Sequence, residues 1–280
     1  MLTIATWNIG LARLSVLGVP LVDAVPHRAI RTAPIVEALA ARREAVDIWL
    51  LQEAYGNDIR GRLSRIDGYR AVFGPGGMRD CGLCILIRDD WKSDKTRHGA
   101  FPANDWIEVV VAAKGVLACD VETALGPMRI GTLHASYDGR GRASIKRKAP
   151  HTRRKQVGIA LDLMEQGPEM PMLLGGDFNA SEAYEPRTHE AITGRGWRDL
   201  AMHAAEKLGP DLNTWSKSNA LVSDGLDEPD HDIDLICGRR LPRGWRATAE
   251  VFMHEEVVPL PDGSLIPLSD HHGLKITLTG

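Results

Sequence analysis

An α/β fold, built on one mixed sheet or on two packed sheets, is what this sequence predicts. Short apolar runs rich in β-branched residues recur along the chain at lengths that suit buried strands. Helical patterns separate some of these runs, without the strict alternation of a parallel β-α-β array. At 280 residues and 44% hydrophobic, the chain can also bury a large core. No internal repeat or low-complexity linker divides it, so a single domain over residues 1–280 is expected.

The runs justify the strands in order. LTIAT (2–6) opens the chain, followed by IWLL (48–51), LCILI (83–87) and IEVVVAA (107–113). MRIGTL (128–133), PMLL (171–174), IDLI (233–236) and LKITL (274–278) complete the set. Residues 28–45 have a helical pattern, with Pro34 either in the first turn or at a kink. Val157, Leu161 and Met164 recur at i, i+4, i+7 after RRKQ, and predict a second helix. Leu200, Ala204 and Leu208, at i, i+4, i+8 before the Gly209-Pro210 stop, predict a third. Stretches 223–231 and 259–269, rich in Pro, Gly and Asp, read as surface loops.

Charged residues make up 25% and the net charge is −3, which argues against a protein that coats nucleic acid with its whole surface but not against a local basic site. The start, MLTIATWN, has neither the basic segment nor the cleavage site of a secretory signal, and the uncharged stretch 14–22 is too short for a bilayer. A cytoplasmic protein without a transmembrane segment is expected. Cys81, Cys84, Cys119 and Cys237 show no second pair at zinc spacing and read as reduced, mostly buried thiols.

The strand ends carry the functional signal. LTIAT runs into Trp7-Asn8, IWLL into Gln52-Glu53, MRIGTL into His134, and PMLL through two glycines into Asp177-Phe178-Asn179. Alternate residues of an extended segment share a face, so Asp177 and Asn179 should point the same way, after glycines that let the backbone turn tightly. SDHH (269–272) precedes the last strand, and an antiparallel last strand would bring Asp270 and His271 to the same edge. Asp234 lies inside IDLI, where a buried carboxylate needs a partner. Singly, such residues are turn, cap or solvated positions. Together they supply hard oxygen donors suited to Mg²⁺ and histidines able to stabilise charge near neutral pH.

In this order, TWN (6–8), LQE (51–53), LH (133–134), GDFN (176–179), IDLI (233–236) and SDHHGL (269–274) resemble the endonuclease/exonuclease/phosphatase superfamily. The resemblance implies a deoxyribonuclease-like four-layer sandwich: two packed mixed β-sheets flanked by helices, with the site at one end. It implies an enzyme, a metal-dependent phosphoric ester hydrolase, with Mg²⁺ as cofactor and Mn²⁺ as substitute. Glu53 would be the main metal ligand, assisted by Asn8, with Asp270 in the metal region. Asp177 would orient or deprotonate the attacking water and Asn179 would hold a phosphate oxygen. His134 and His271 would flank the phosphorus, and Asp234 would fix the tautomer of His271 and raise its pKa.

The substrate is less sharply written. Residues 139–155 hold eight Lys/Arg and no acid, and a loop carrying them should overhang the site, with Arg140, Arg142 and Tyr137 reaching substrate. Such charge suits a nucleic-acid backbone, a phosphate-rich small molecule or an anionic membrane surface, and is also common on a merely solvated face. His151-x-Arg153-x-x-Gln156 resembles a family feature in which the Arg/Gln pair packs a helix onto the sheet. LHASYD (133–138) and CGLCILI (81–87) look more like neutral sphingomyelinases than nucleases, and residues 9–25 form an unusually apolar loop, either lipid-facing or folded over the core as a lid. The favoured substrate is therefore a small or lipid-like phosphodiester. A DNA or RNA endonuclease or exonuclease is the alternative, and a non-catalytic phosphate-binding module a remote third.

Overall fold

The first strand shows how the molecule is layered. In LTIATWN, Leu2 and Ile4 face one apolar cluster while Ala5 and Trp7 face another, the period-2 split of a strand buried on both sides. The computed structural model describes residues 1–16, 19–77, 80–103, 113–137, 143–222 and 230–280, with the backbone alone at 14–16, 19–22 and 143–147.

In chain order the first strands are β1 (Leu2–Asn8), β2 (Arg13–Val16), β3 (Val19–Asp23), β4 (Ile48–Gln52), β5 (Tyr69–Phe73), β6 (Cys84–Arg88) and β7 (Ser93–Ala100). Then come β8 (Gly115–Thr123), β9 (Gly126–His134), β10 (Met172–Asp177), β11 (Arg198–Asp199), β12 (Glu206–Leu208) and β13 (Asp234–Arg239). The last are β14 (Arg246–Phe252), β15 (Val257–Pro259), β16 (Leu265–Pro267) and β17 (Gly273–Thr279). Among the described residues the helices are α1 (Arg28–Ala40), α2 (Asn57–Leu63), α3 (Ala143–Met164) and α4 (Pro186–Thr193).

Among the described residues, one sheet has seven strands in the order β12-β14-β17-β1-β4-β6-β5. The other has six, in the order β11-β13-β10-β9-β8-β7. Both are mixed: β1 is parallel to β4 and antiparallel to β17, and β10 is parallel to β9 and antiparallel to β13. The sheets face each other across a cluster that includes Leu2, Ile4, Leu50, Ile85, Ile130, Leu173 and Ile236. Helix α1 covers the first sheet through Ile35 and Leu39, and α3 covers the second through Val157, Leu161 and Met164. Helix, sheet, sheet, helix is the expected deoxyribonuclease-like sandwich.

The glycines before Asp177 do different work from the tight turn expected of them. β10 continues through both to Asp177. A Cβ on Gly175 would lie 2.6 Å from Leu50 Cδ1 of the opposite sheet, so this glycine sets the close approach of the sheets. Gly176 has φ +149°, and a Cβ there would lie 2.1 Å from the Leu133 carbonyl oxygen.

Other expectations shift as well. The helix predicted from Leu200, Ala204 and Leu208 does not form; the segment is β11, a turn, and β12. Asp199 is buried and accepts the N–H groups of Ala201 and Met202 at 3.0 and 3.2 Å, an Asx-type turn that competes with helix, and residues 206–208 pair with β14. The 28–45 helix ends at Ala40 and continues as turns, with Pro34 inside it. The predicted 107–113 strand falls almost wholly outside the described residues; Ala113, which is described, is not in a strand. From residue 143 the basic stretch is helix α3, not an overhanging loop, and Arg140 and Arg142 lie outside the described residues. The apolar 9–25 segment contains the β2–β3 hairpin, with Ile9, Leu11 and Val25 at its root buried in the core under α1. All four cysteines are free and buried.

Candidate active site

Strand alternation aims the polar residues at one edge. Asn8 ends β1 on the face of Leu2 and Ile4, toward the second sheet, and the neighbouring strand end, Gln52, donates Nε2 to Thr132 Oγ1 at 2.9 Å across the sandwich. On the second sheet Asp177 is level with His134 on one side and Asp234 on the other. The antiparallel β17 returns Asp270 and His271 to the same edge, where Trp7 Nε1 donates to the His271 carbonyl at 3.0 Å. Residues scattered over the chain thus meet around Asp177.

Asp177, 2% exposed, is the hub. Its Oδ2 accepts from Asn8 Nδ2 at 3.1 Å and lies 3.3 Å from His134 Nε2 and 4.0 Å from His271 Nε2. Its Oδ1 accepts the Asn179 N–H at 2.9 Å. Burial alone would raise its pKa, but the His134 hydrogen bond and the charges of His134, His271 and Lys114 outweigh burial and hold it well below the usual carboxylate range. Asn179 does not continue an extended segment: its φ is +49°, and its side chain turns to donate Nδ2 to the Ala135 carbonyl at 3.1 Å. Glu53 is left-handed too, at φ +58°. Two non-glycine residues in this sparsely populated region at one edge are the kind of strain that collects at working sites.

His271 Nδ1 is bonded to Asp234 Oδ2 at 2.8 Å, which leaves Nε2 facing Asp177. Burial opposes charging His271, yet Asp234, Asp177 and Asp270 prevail and raise its pKa from 6.5 to about 10. Burial raises Asp234 to about 6, against the His271 charge. The dyad is therefore an imidazolium–carboxylate pair at neutral pH. Thr214 Oγ1 accepts the N–H groups of Ile233 and Asp234, both at 3.1 Å, and holds the strand start in place.

Glu53, Asp270 and Asn8 form a second group around the turn after β1. The Gly10 N–H donates to Asn8 Oδ1 at 3.1 Å, and the Ala12 N–H to Glu53 Oε2 at 3.4 Å. A Cβ on Gly10, where φ is +59°, would lie 2.8 Å from Asp270 Oδ1. An all-oxygen set of two carboxylates and an amide fits a hard divalent cation. Asp177, Asp234 and His271 also bring ligand atoms within 4.8 Å of one another. Asp234 and His271 already bond each other, so this trio reads as a hydrogen-bonded relay.

Sequence reasoning missed Lys114. Its Nζ, in a residue only 8% exposed, lies 2.7 Å from His134 Nε2 and 2.6 Å from the Ala135 carbonyl. His134 Nε2 can accept from Lys114 or donate to Asp177 but not both, so the tautomer decides which neighbour it serves. Lys114 stands just before Gly115, the register partner of His134. The apolar VLAC (116–119) marks that strand in the sequence. Tyr137 lies beside it, 38% exposed, its ring 5.7 Å from Lys114 Nζ. The Arg/Gln pair packs α3 onto the sheet as the resemblance implied: Gln156 Oε1 accepts the Ser136 N–H at 2.8 Å, and Arg153 donates to the Ser136 carbonyl at 3.1 Å.

Comparison with known proteins decides the family. A sequence model of the Endonuclease/Exonuclease/phosphatase family matches residues 5–271. The chain belongs to that family. It is accordingly a phosphoester hydrolase of the divalent-metal-dependent kind. No curated protein sequence matches it. Among solved structures, sphingomyelinase C from Streptomyces griseocarneus aligns with TM-score 0.71 and 19% identity over 98% of both chains. D. rerio TDP2 complexed with a single-strand DNA product aligns with TM-score 0.70 and 18% identity, over 100% of this chain and 99% of that one. A mannosyl-6-phosphatase of Bacteroides thetaiotaomicron aligns with TM-score 0.70 and 19% identity over 100% of both. At these identities the neighbours establish the fold alone, and their names span three kinds of phosphoester.

Proposed function

We propose that this family member is a Mg²⁺-dependent phosphodiesterase acting on a small or lipid-like phosphodiester. The observation that carries the reading is an oxygen-donor set (Glu53, Asp270, Asn8) at the same edge as a hydrogen-bonded group (Asp177, His134, Asp234, His271), the two adjoining where Asn8 Nδ2 donates to Asp177 and Glu53 lies 4.0 Å from His134. Glu53, Asp270 and Asn8 would hold Mg²⁺, which when bound supplies polarisation of a phosphoryl oxygen, with Mn²⁺ able to substitute. Asp177 stays ionised and hydrogen-bonded, so it orients the attacking water as an acceptor; a carboxylate held this low is a weak base. His271, kept cationic by Asp234, donates from Nε2 to the developing negative charge. Asn179, His134 and Lys114 complete the cradle for the phosphate oxygens, with Tyr137 at its rim.

The lipid-like preference rests on the β2–β3 hairpin. Its sequence between Arg13 and Asp23 is almost wholly apolar, and its root supplies the Ala12 N–H that holds Glu53. A nuclease draws less support, because part of the basic stretch is already engaged. Arg153 and Arg154 both donate to Glu185, at 2.9 and 3.0 Å. The sphingomyelinase neighbour agrees with this preference, and the neighbour with a DNA product keeps the nuclease as the comparison to beat. Incubation with sphingomyelin, bis-p-nitrophenyl phosphate, supercoiled plasmid and RNA, each with Mg²⁺, Mn²⁺ or EDTA, separates the two. Metal-dependent turnover of the lipid or the small diester without nicking supports the proposal; plasmid nicking at low enzyme overturns the preference.

A further inference from the structure

Helix α1 begins with two arginines three residues apart, Arg28 and Arg31, which lie on one helix face. Both are buried, Arg31 completely. Arg31 Nη1 donates to the Leu268 carbonyl at 2.6 Å and to Ile9 at 3.4 Å, and Nη2 to Gly10 at 2.6 Å and Val25 at 3.3 Å. Its Nε donates to Pro26 at 2.9 Å. Every hydrogen bond of Arg31 among the described residues thus ends on a backbone carbonyl. Arg28 donates Nε to the Leu11 carbonyl at 3.0 Å and Nη2 to Tyr55 at 3.2 Å, and pairs with Asp58 at 3.2 Å.

A buried guanidinium with no contacting carboxylate is costly, so its retention calls for a reason. Burial pushes its pKa down, and the charges of Asp270, Glu53 and Asp23 oppose that. The gripped carbonyls supply the reason. Ile9, Gly10 and Leu11 directly follow Asn8, Tyr55 stands two residues after Glu53, and Leu268 stands two before Asp270. One helix end therefore ties together the three separate segments that carry the oxygen donors.

We infer that Arg28 and Arg31 are positioning residues that fix the spacing of Asn8, Glu53 and Asp270 and so select a small octahedral cation over a larger one. This rests on the proposed metal reading of those donors. Mg²⁺ demands near-ideal octahedral geometry, whereas Ca²⁺ accepts longer and more varied contacts. A planar fork of five donors can hold several carbonyls at fixed angles; the single ammonium of lysine keeps the charge but not the geometry.

Calorimetric titration of the full chain with MgCl₂ and with CaCl₂ tests the inference without any turnover, beside thermal unfolding in EDTA to show that each variant is folded. Arg31→Lys should weaken Mg²⁺ binding by about 10–100-fold, the usual effect of losing a group that orients a metal ligand, and Ca²⁺ binding much less. Arg28→Lys, whose pairing partner Asp58 is 54% exposed, should fold where Arg31→Lys does not, and shift the preference in the same direction. Failure of the wild-type chain to bind either ion would remove the metal reading itself. Wild-type binding with an unchanged Mg²⁺/Ca²⁺ preference in a folded variant, including equal losses for both ions, would overturn the positioning role.

Discussion

Replacing Asp234 with Asn probes the charged relay while keeping its shape. In the wild-type chain the imidazolium of His271 is favoured over the neutral ring because its pKa stands at about 10 and not 6.5, a preference of about 5 kcal/mol. Asp234 is the leading favourable contributor, through its charge and the 2.8 Å bond. An amide removes that charge, and burial then works against the cation, so the pKa should fall toward 6.5. At about pH 8 a group at 6.5 is only about 3% protonated, which alone costs about 30-fold in rate. The sign is definite: wild type keeps its active cation as pH rises until about 10, and the variant loses it through 6.5. The assay is kcat/KM for bis-p-nitrophenyl phosphate with Mg²⁺ between about pH 5.5 and 9.5, with nitrogen-15 NMR of His271 alongside. Recovery of the variant toward low pH supports the account. An alkaline limb unmoved from wild type would refute it, and an unfolded variant would make Asp234 a structural residue.

Three further outcomes are expected. Glu53→Ala should raise the metal concentration needed for half-maximal activity as well as lower the rate, read from Mg²⁺ titrations of turnover, because Glu53 is one of two carboxylates in the oxygen-donor group. Lys114→Met should lower kcat by about 10²–10³-fold, the loss seen when one donor to developing charge is removed, with circular dichroism unchanged. Gly176→Ala should destabilise the chain by at least about 1–3 kcal/mol in urea unfolding, because its Cβ would meet the Leu133 carbonyl and its φ of +149° disfavours a side chain.

How much of this was legible depended on the range of the interaction. The abrupt change from apolar run to Asn8, Glu53, His134 or Asp177 is a local signal, and strands formed at the four runs that lead into these residues, so the edge that gathers them could be read in advance. Helix α3 was legible for the same reason: Val157, Leu161 and Met164 all face the second sheet. Residues 198–208 misled because their apolar spacing is helical, while buried Asp199 caps a turn and β14 captures residues 206–208 as a strand. The left-handed turns at Glu53 and Asn179 have no compositional mark. Lys114 looks like an ordinary surface cation until β8 is paired with β9. Arg31 in a first helical turn reads as solvated, and only the folded chain brings it under Leu268, far along the sequence.

In the proposed function the oxygen group of Asn8, Glu53 and Asp270 holds the divalent cation while Asp177, Asp234 and His271 do not. Anomalous diffraction from crystals soaked in MnCl₂ tests it directly. A single strong peak in contact with Glu53, Asp270 and the Asn8 amide oxygen is expected. A peak seated between Asp234 and His271, with none near Glu53, would contradict it.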